Sequence, residues 1–164
     1  MKTIYFIRHA KSEQNIACDD IDRPLNGRGE GDAPFMGERL KRYKVKPDII
    51  ISSPAKRAFS TAKIIAERLE VANLKTEPKL YTGTSAVYLD IITQISDEHK
   101  SVFIVGHNPT ITEICENLSG KFVGNIPTCG IFCIEFDVEC FSDISSSSGK
   151  KLFFDFPKKH KIFV

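Results

Sequence analysis

Two histidines and two arginines of this sequence stand where side-chain chemistry is expected. Arg8 and His9 directly follow an apolar run, His107 follows a second run, and Arg57 lies just beyond a third. Polar residues that leave a buried strand are costly to bury unless they have a task. A guanidinium presents a planar fork that matches phosphoryl oxygens, and a neutral imidazole is a nucleophile. The four residues therefore predict an anion pocket for phosphoryl chemistry.

The same residue types predict how such a pocket would work. Nearby positive charge disfavours imidazolium, so one histidine is expected to stay neutral and nucleophilic near pH 7. Preorganised cationic donors would stabilise the charge on the transferring phosphoryl group. Zinc is the alternative ligand for two histidines, but it needs a third protein ligand, and two arginines would repel it. We expect no metal and no other cofactor.

Three short, almost wholly apolar segments are expected to place these residues at one edge of a sheet. Residues 3–7, 48–52 and 101–105 are typical of strands buried on both faces. Ligands of such sheets bind beyond the carboxyl ends of the strands. Each of the predicted strands ends next to one of the chemically interesting residues, so the strand ends are expected to form the site.

Helical periodicity separates the predicted strands. The clearest helix covers residues 54–70, with Ser53 as its N-cap, and others are expected over 27–44, over 86–97 and after Pro109. Residues 130–136 and 152–156 are typical of strands joined by a serine-rich loop. The pattern predicts a three-layer α/β/α sandwich with a mostly parallel central sheet, an antiparallel C-terminal edge and a single domain over 1–164.

Composition is ordinary for a globular protein of one domain. The 164 residues include 41% hydrophobic and 27% charged residues, and the formal net charge is +2. A net charge this small produces no strong electrostatic attraction to nucleic acid or to a membrane surface. No apolar run is long enough to span a bilayer. Five scattered cysteines without paired spacing indicate free thiols, so we expect a cytoplasmic protein.

Three segments of the sequence resemble the signatures of the histidine phosphatase (phosphoglycerate mutase-like) superfamily. They are Arg-His-Ala-Lys-Ser at 8–12, Ser-Ser-Pro at 52–54 followed by Arg57 and Thr61, and Val-Gly-His-Asn-Pro at 105–109. The segment Arg-Pro-Leu at 23–25 and Gly29 match as well. All occur in the order and at the spacing of the superfamily, over most of the chain.

The resemblance implies a role for each matching residue. His9 would become phosphorylated, while Arg8, Arg57 and His107 would bind the phosphoryl group and stabilise its transition state. Three further residues would assist: Asn15 matches a position that contacts phosphate in some relatives, Ser12 supports the loop, and Asn108 donates its backbone amide to a phosphate oxygen.

The short length of the chain and the residues of the first motif resemble those of the SixA-type branch, which comprises small bacterial phosphohistidine phosphatases. Larger relatives carry an inserted lid over the site, and this chain offers no spare segment for one. We therefore expect an open site that accepts a phosphorylated side chain of another protein.

The sequence departs from many relatives at the proton donor. The corresponding stretch, residues 80–85, contains no carboxylate, and the spacing of Asp90 indicates a surface charge. Asp19, Asp20 or Asp22 could serve instead. An alkoxide leaving group needs a general acid, whereas the nitrogen of phosphohistidine is protonated more easily. The missing acid favours phosphohistidine as the substrate.

Three functions are consistent with these residues. The first is a metal-independent phosphatase of the histidine acid type, which hydrolyses phosphohistidine in a relay or phosphotransferase protein through phospho-His9. The second is a phosphatase of small phosphomonoesters such as sugar or nucleotide phosphates. The third is a catalytically idle phosphate-binding or interaction domain, against which the intact set of four residues argues.

Overall fold

The most apolar segments of the chain form the centre of a six-stranded sheet in the computed structural model, which describes residues 1–161. The sheet order is β3-β2-β4-β1-β5-β6. Its strands are β1 (Lys2–Arg8), β2 (Ile49–Ser52), β3 (Leu74–Thr76), β4 (Ser101–Gly106), β5 (Ile131–Phe136) and β6 (Gly149–Asp155).

The first four strands run parallel, whereas β5 is antiparallel to β1 and β6 is antiparallel to β5. This topology confirms the predicted sheet with its antiparallel C-terminal edge. The register also brings the strand ends together, because Arg8 lies opposite Gly106 and Ser52 lies opposite Val105. The carboxyl ends of β1, β2 and β4 therefore meet at one edge.

Helices cover both faces of the sheet and complete the predicted three layers. They are α1 (Gly27–Arg42), α2 (Lys56–Leu69), α3 (Lys79–Thr82), α4 (Ser85–Thr93) and α5 (Thr110–Ser119), with 3₁₀ turns at Asp20–Asp22, Phe141–Asp143 and Pro157–Lys159. One core joins α1 and α2 to Ile50 of β2, and the other joins α4 and α5 to the adjacent Ile51. Successive residues of the strand thus pack into opposite cores. Because both faces of the strand are buried, its sequence is a continuous apolar run.

The start of α2 differs from its prediction. The helix begins at Lys56 with Ala55 as N-cap, so Ser53 is not the cap. The hydroxyl of Ser53 instead accepts the Ala55 amide at 3.2 Å and contacts the ring of His107. The prediction of Ser53 as N-cap is therefore wrong. It rested on the fact that serine before proline is typical of helix starts.

Other helix and strand boundaries differ from the predicted ones by a few residues. α1 ends at Arg42 and α4 at Thr93, each earlier than its periodicity predicted, and β6 begins three residues before its predicted start. Among the described helices, none combines the length and apolar character that a bilayer crossing demands. The last three residues of the predicted domain, 162–164, lie outside the described residues.

Candidate active site

A polar pocket of about 600 Å³ lies at the edge where β1, β2 and β4 end. It contains the four residues that sequence reasoning placed at the strand ends. Its lining consists of Arg8, His9, Lys11, Ser12, Gln14, Asp20, Arg23, Arg57, Tyr81, Thr82, His107, Asn108 and Thr128.

His9 forms the floor of this pocket and is only 8% exposed. Its backbone amide donates to the carbonyl of Gly106 at 3.1 Å, so the sheet fixes its position. The ring Nδ1 lies 2.8 Å from the carbonyl oxygen of Ala10. A carbonyl can only accept, so Nδ1 carries the proton and Nε2 keeps a free lone pair.

Burial is the main reason why the pKa of His9 falls to about 3. The hydrogen bond to Ala10 works in the opposite direction, while the proximity of His107, Arg57 and Arg8 lowers the pKa further. The imidazole is therefore neutral at physiological pH, as the sequence predicted for one of the two histidines.

His107 lies beside His9, with 5.2 Å between the ring centroids. Its Nε2 and the Ser53 hydroxyl are 2.8 Å apart, and its backbone amide donates to the Tyr88 hydroxyl at 3.4 Å. Burial, followed by the charge of Arg57, lowers the pKa of His107 to about 4. The second imidazole is thus also neutral in the free protein and is oriented by a hydroxyl from the end of β2.

The two arginines each keep a buried donor without a partner. Arg8 donates from Nη1 to the Ile126 carbonyl at 2.9 Å, and Arg57 donates from Nη1 to the Asp20 carbonyl at 2.7 Å. Within residues 1–161, neither Nε finds a hydrogen-bond partner, although both are buried. An unsatisfied buried N–H costs free energy, so each arginine is held in the pocket wall at some cost to stability.

Asp20 closes the outer side of the pocket and accepts three side-chain donors. Its Oδ2 accepts from the Tyr81 hydroxyl at 2.6 Å and from Nη2 of Arg57 at 3.1 Å, and its Oδ1 accepts from Nη2 of Arg23 at 3.1 Å. The hydrogen bond from Tyr81, with those from Arg23 and Arg57, holds the pKa of this carboxyl well below its usual range. Asp20 is therefore ionised in the free protein.

The three residues expected to assist are placed differently from one another. Ser12 lines the pocket, and its hydroxyl accepts from Nη1 of Arg23. Asn108 also lines it, but its side chain is bonded to neighbouring loop and helix groups, which leaves the backbone amide for a ligand. Asn15 is exposed, has a left-handed backbone with φ of 57°, and does not line the pocket.

Asp20 is predicted from the sequence only as one of three carboxylates near the motif, and no sequence pattern identifies Arg23 or Tyr81 as site residues. Asp19 and Asp22 do not line the pocket. Tyr81 is 61 residues from Asp20 along the chain, and no local pattern connects them. In the described part of the chain, no group of three or more histidine, cysteine or carboxylate side chains could hold a metal ion.

Comparisons with known proteins identify related sequences. The sequence model of the histidine phosphatase superfamily (branch 1) matches residues 4–81. A protein of Mycobacterium leprae is 31% identical over 140 residues, which are 76% of this chain and 84% of that protein. A chloroplast protein of Arabidopsis thaliana is 30% identical over 139 residues, 78% of this chain and 63% of its own length. This chain therefore spans less than two thirds of the Arabidopsis relative.

A solved structure has the same fold over nearly the whole chain. The protein histidine phosphatase SixA, in complex with tungstate, matches with a TM-score of 0.85 and covers 97% of this chain and 99% of its own. The two sequences are 21% identical, so this likeness concerns the fold alone.

Proposed function

This chain belongs to the histidine phosphatase superfamily, and on that premise we propose that it is a phosphohistidine phosphatase of the histidine acid type. His9 takes the phosphoryl group from a phosphorylated histidine of another protein, and water then releases phosphate. The reaction uses no metal ion. Support comes from a neutral, oriented imidazole at the floor of a cationic pocket.

The nucleophile is Nε2 of His9, because Nδ1 is committed to the Ala10 carbonyl. Its neutral state requires no base to activate it, since the lone pair is already free. The attack forms a bond from Nε2 to phosphorus and breaks the bond from phosphorus to the substrate's ring nitrogen, which leaves with the electron pair. His9 becomes an imidazolium ring whose Nδ1–H remains on the carbonyl. Water then attacks phosphorus, the electron pair returns to Nε2, and dihydrogen phosphate leaves.

The transferring group would lie among Arg8, Arg57 and His107. Both guanidinium groups and the His107 ring line the pocket, so these donors are in place before the substrate arrives. In SixA, the tetrahedral oxyanion tungstate accompanies the same fold. An anion of this shape suits the donors of the present pocket.

The observation that carries the choice of substrate is the set of three donors that surround the Asp20 carboxylate. Asp20 is the one carboxylate in the described lining of the pocket, and Tyr81, Arg23 and Arg57 hold it in the form that cannot donate a proton. A phosphomonoester would have to expel an alkoxide without a general acid, at a cost of about 10²–10⁴ in rate. A phosphoramidate makes no such demand.

The shape of the entrance supports a protein as the substrate. Asp20 is at the mouth, with 56% of its side chain exposed. The segment before it, residues 14–19, is also exposed. A histidine on the surface of a relay or phosphotransferase protein could therefore approach the pocket directly. Small phosphomonoesters would also fit, and they define the alternative outcome of the test.

The test is a paired turnover measurement, in the presence of EDTA, of a phosphohistidine peptide and para-nitrophenyl phosphate. We expect kcat/KM for the peptide to be at least about 10-fold higher, and His9→Ala to lower both values by at least about 10³-fold. His99→Ala is the matched control, because this imidazole lies outside the pocket.

Each contrary result has one meaning. Preference for the ester would assign the chain to the phosphatases of small phosphomonoesters. Activity that survives in His9→Ala would reject this residue as the nucleophile. Loss of activity in EDTA would reject the metal-independent reaction.

A further inference from the structure

Asp20 and His9 line the same pocket and differ in depth. His9 is buried at the floor, whereas Asp20 stands at the mouth on the exposed segment that contains the first 3₁₀ turn. In an in-line displacement, the leaving group departs on the side of phosphorus opposite to the nucleophile. Because His9 is the buried group, we place the leaving-group side toward the exposed part of the pocket, where Asp20 lies.

The Asp20 carboxylate has one acceptor position left. A carboxylate offers about four lone-pair sites, two on each oxygen. Oδ2 uses both of its sites for Tyr81 and Arg57, whereas among residues 1–161 Oδ1 accepts only from Arg23. Oδ1 can therefore accept one more hydrogen bond from a group that enters the mouth.

We propose that Asp20 recognises the leaving imidazole of the substrate by accepting a hydrogen bond from the ring nitrogen that does not carry phosphorus. This inference rests on the proposed function and names the residue that selects phosphohistidine over phosphoesters. Asp20 acts as an anion in this role and donates no proton.

The hydrogen bond promotes departure of the leaving group without any proton transfer to it. A phosphoimidazole that is protonated on its second nitrogen is an imidazolium, which an adjacent carboxylate stabilises. When Nε2 of His9 attacks, the phosphorus–nitrogen bond breaks and its electron pair stays on the leaving nitrogen. The product is neutral imidazole, which still carries its N–H toward Asp20, and charge and atoms balance.

The two imidazole rings are then bound in equivalent ways. On the enzyme side, the carbonyl of Ala10 holds the Nδ1–H of His9 at 2.8 Å. On the substrate side, the Asp20 carboxylate holds the equivalent N–H of the second imidazole. The phosphoryl group thus passes between two rings that are bound in the same protonation state. An alkoxide or phenolate has no such N–H, so phosphoesters gain nothing from Asp20.

The charged and titratable groups around Asp20 keep it ionised when the ring arrives. Arg23 donates to it from the loop after the 3₁₀ turn, Arg57 from α2 and Tyr81 from α3, and His107 lines the same pocket. His107 is neutral near pH 7 because its pKa is lowered to about 4. The local field therefore favours the carboxylate over its acid form.

Asp20→Asn tests this role, because it removes the charge and keeps the shape. We expect kcat/KM for a phosphohistidine peptide to fall about 10- to 100-fold, since a charge-assisted hydrogen bond is lost. The kcat/KM for para-nitrophenyl phosphate, whose leaving group lacks the N–H, should fall at least about threefold less than that for the peptide. Asp22→Asn is the matched control: it removes the same charge from the same 3₁₀ turn and does not line the pocket.

The pH dependence of kcat provides a readout that a structural role would not move. The alkaline limb for phosphohistidine reports loss of the ring proton in the enzyme–substrate complex. We expect this limb to move to lower pH in Asp20→Asn, because the anion that favours the protonated ring is gone.

The outcomes separate this inference from the proposed function. An equal loss of kcat/KM for both substrates would assign Asp20 to positioning Arg57 and overturn its role in recognition. An unchanged kcat/KM for the phosphohistidine peptide would also overturn that role. A wild-type protein that does not cleave phosphohistidine at all would overturn the proposed function itself.

Discussion

The orientation of His107 depends on one hydroxyl. Ser53 lies 2.8 Å from Nε2 of His107, and both groups are buried. We expect Ser53→Ala to lower kcat/KM about 10-fold, because the ring loses the partner that fixes its rotation and tautomer. The free energy of unfolding should fall by about 1 kcal/mol for the lost hydrogen bond. Steady-state kinetics and urea unfolding measure the two effects.

Ser52→Ala is the matched control for that variant. Ser52 is equally buried, but its hydroxyl donates to the Ser53 carbonyl and does not reach the ring. The control should lose comparable stability and retain activity. Equal activity loss in both variants would show that the hydroxyl of Ser53 acts through the end of β2 and not through His107.

At the scale of elements, the first turn of α1 supports the segment that follows the nucleophile. The Asn26 amide donates to the Lys11 carbonyl at 3.0 Å, and the Asn26 side chain accepts from the Gly29 amide at 2.9 Å. A Cβ placed on Gly29 would lie 2.0 Å from the Lys11 carbonyl oxygen. Only glycine allows the helix to approach this backbone so closely.

Gly29→Ala should therefore disturb both stability and catalysis. We expect the free energy of unfolding to fall by about 1–3 kcal/mol, as in other overpacked sites, and kcat/KM to fall because residues 9–12 are displaced. Gly31→Ala is the control in the same helix, since no atom of the described residues lies within 4 Å of its added Cβ. It should stabilise the protein by about 0.5–1 kcal/mol. Chemical denaturation measures the free energy of unfolding of both variants, and steady-state kinetics measures their kcat/KM. A Gly29→Ala variant as stable and as active as Gly31→Ala would contradict the prediction.

The elements that the sequence predicts well are those buried on both faces. β1, β2 and β4 were recognisable because neighbouring residues feed opposite cores, so no polar residue interrupts them. β3 was not predicted, because Leu74–Thr76 is a three-residue edge strand with a single apolar residue. A strand that pairs through its backbone and buries little leaves no hydrophobic pattern to read.

The same distinction applies to the site. Arg8, His9 and His107 were predicted together because parallel strands end at a common edge, and topology alone then makes them neighbours. The contact between Asp20 and Tyr81 depends on how an irregular segment folds over that edge, and sequence periodicity carries no information about it.

For the whole molecule, the two neutral histidines make stability depend on pH. Their pKa values fall to about 3 and about 4 in the folded protein, against about 6.5 when unfolded. The unfolded chain therefore binds more protons below pH 6.5, so stability is fully present above that value and decreases as pH falls. Between pH 7 and pH 5.5, we expect a loss of about 1 kcal/mol for each histidine.

Urea unfolding at several pH values measures this dependence. In His9→Gln, the slope between pH 7 and pH 5.5 should be about half as steep, because only His107 then contributes from the pocket. The lowered pKa of Asp20 acts in a more acidic range and leaves this window unaffected. A free energy of unfolding that stays constant across the window would contradict the burial of neutral imidazoles.

The strand that precedes His9 and the segment that carries Asp20 differ in local stability. β1 is bonded to β4 on one side and to β5 on the other, so its amide hydrogens can exchange with solvent only when the centre of the sheet opens. The segment that carries Asp20 is exposed and crosses the mouth without joining the sheet. Its local opening breaks the hydrogen bonds of Asp20 but leaves the sheet intact, so it costs less free energy than global unfolding. The outer wall of the pocket can thus fluctuate many times while the nucleophile's framework stays closed.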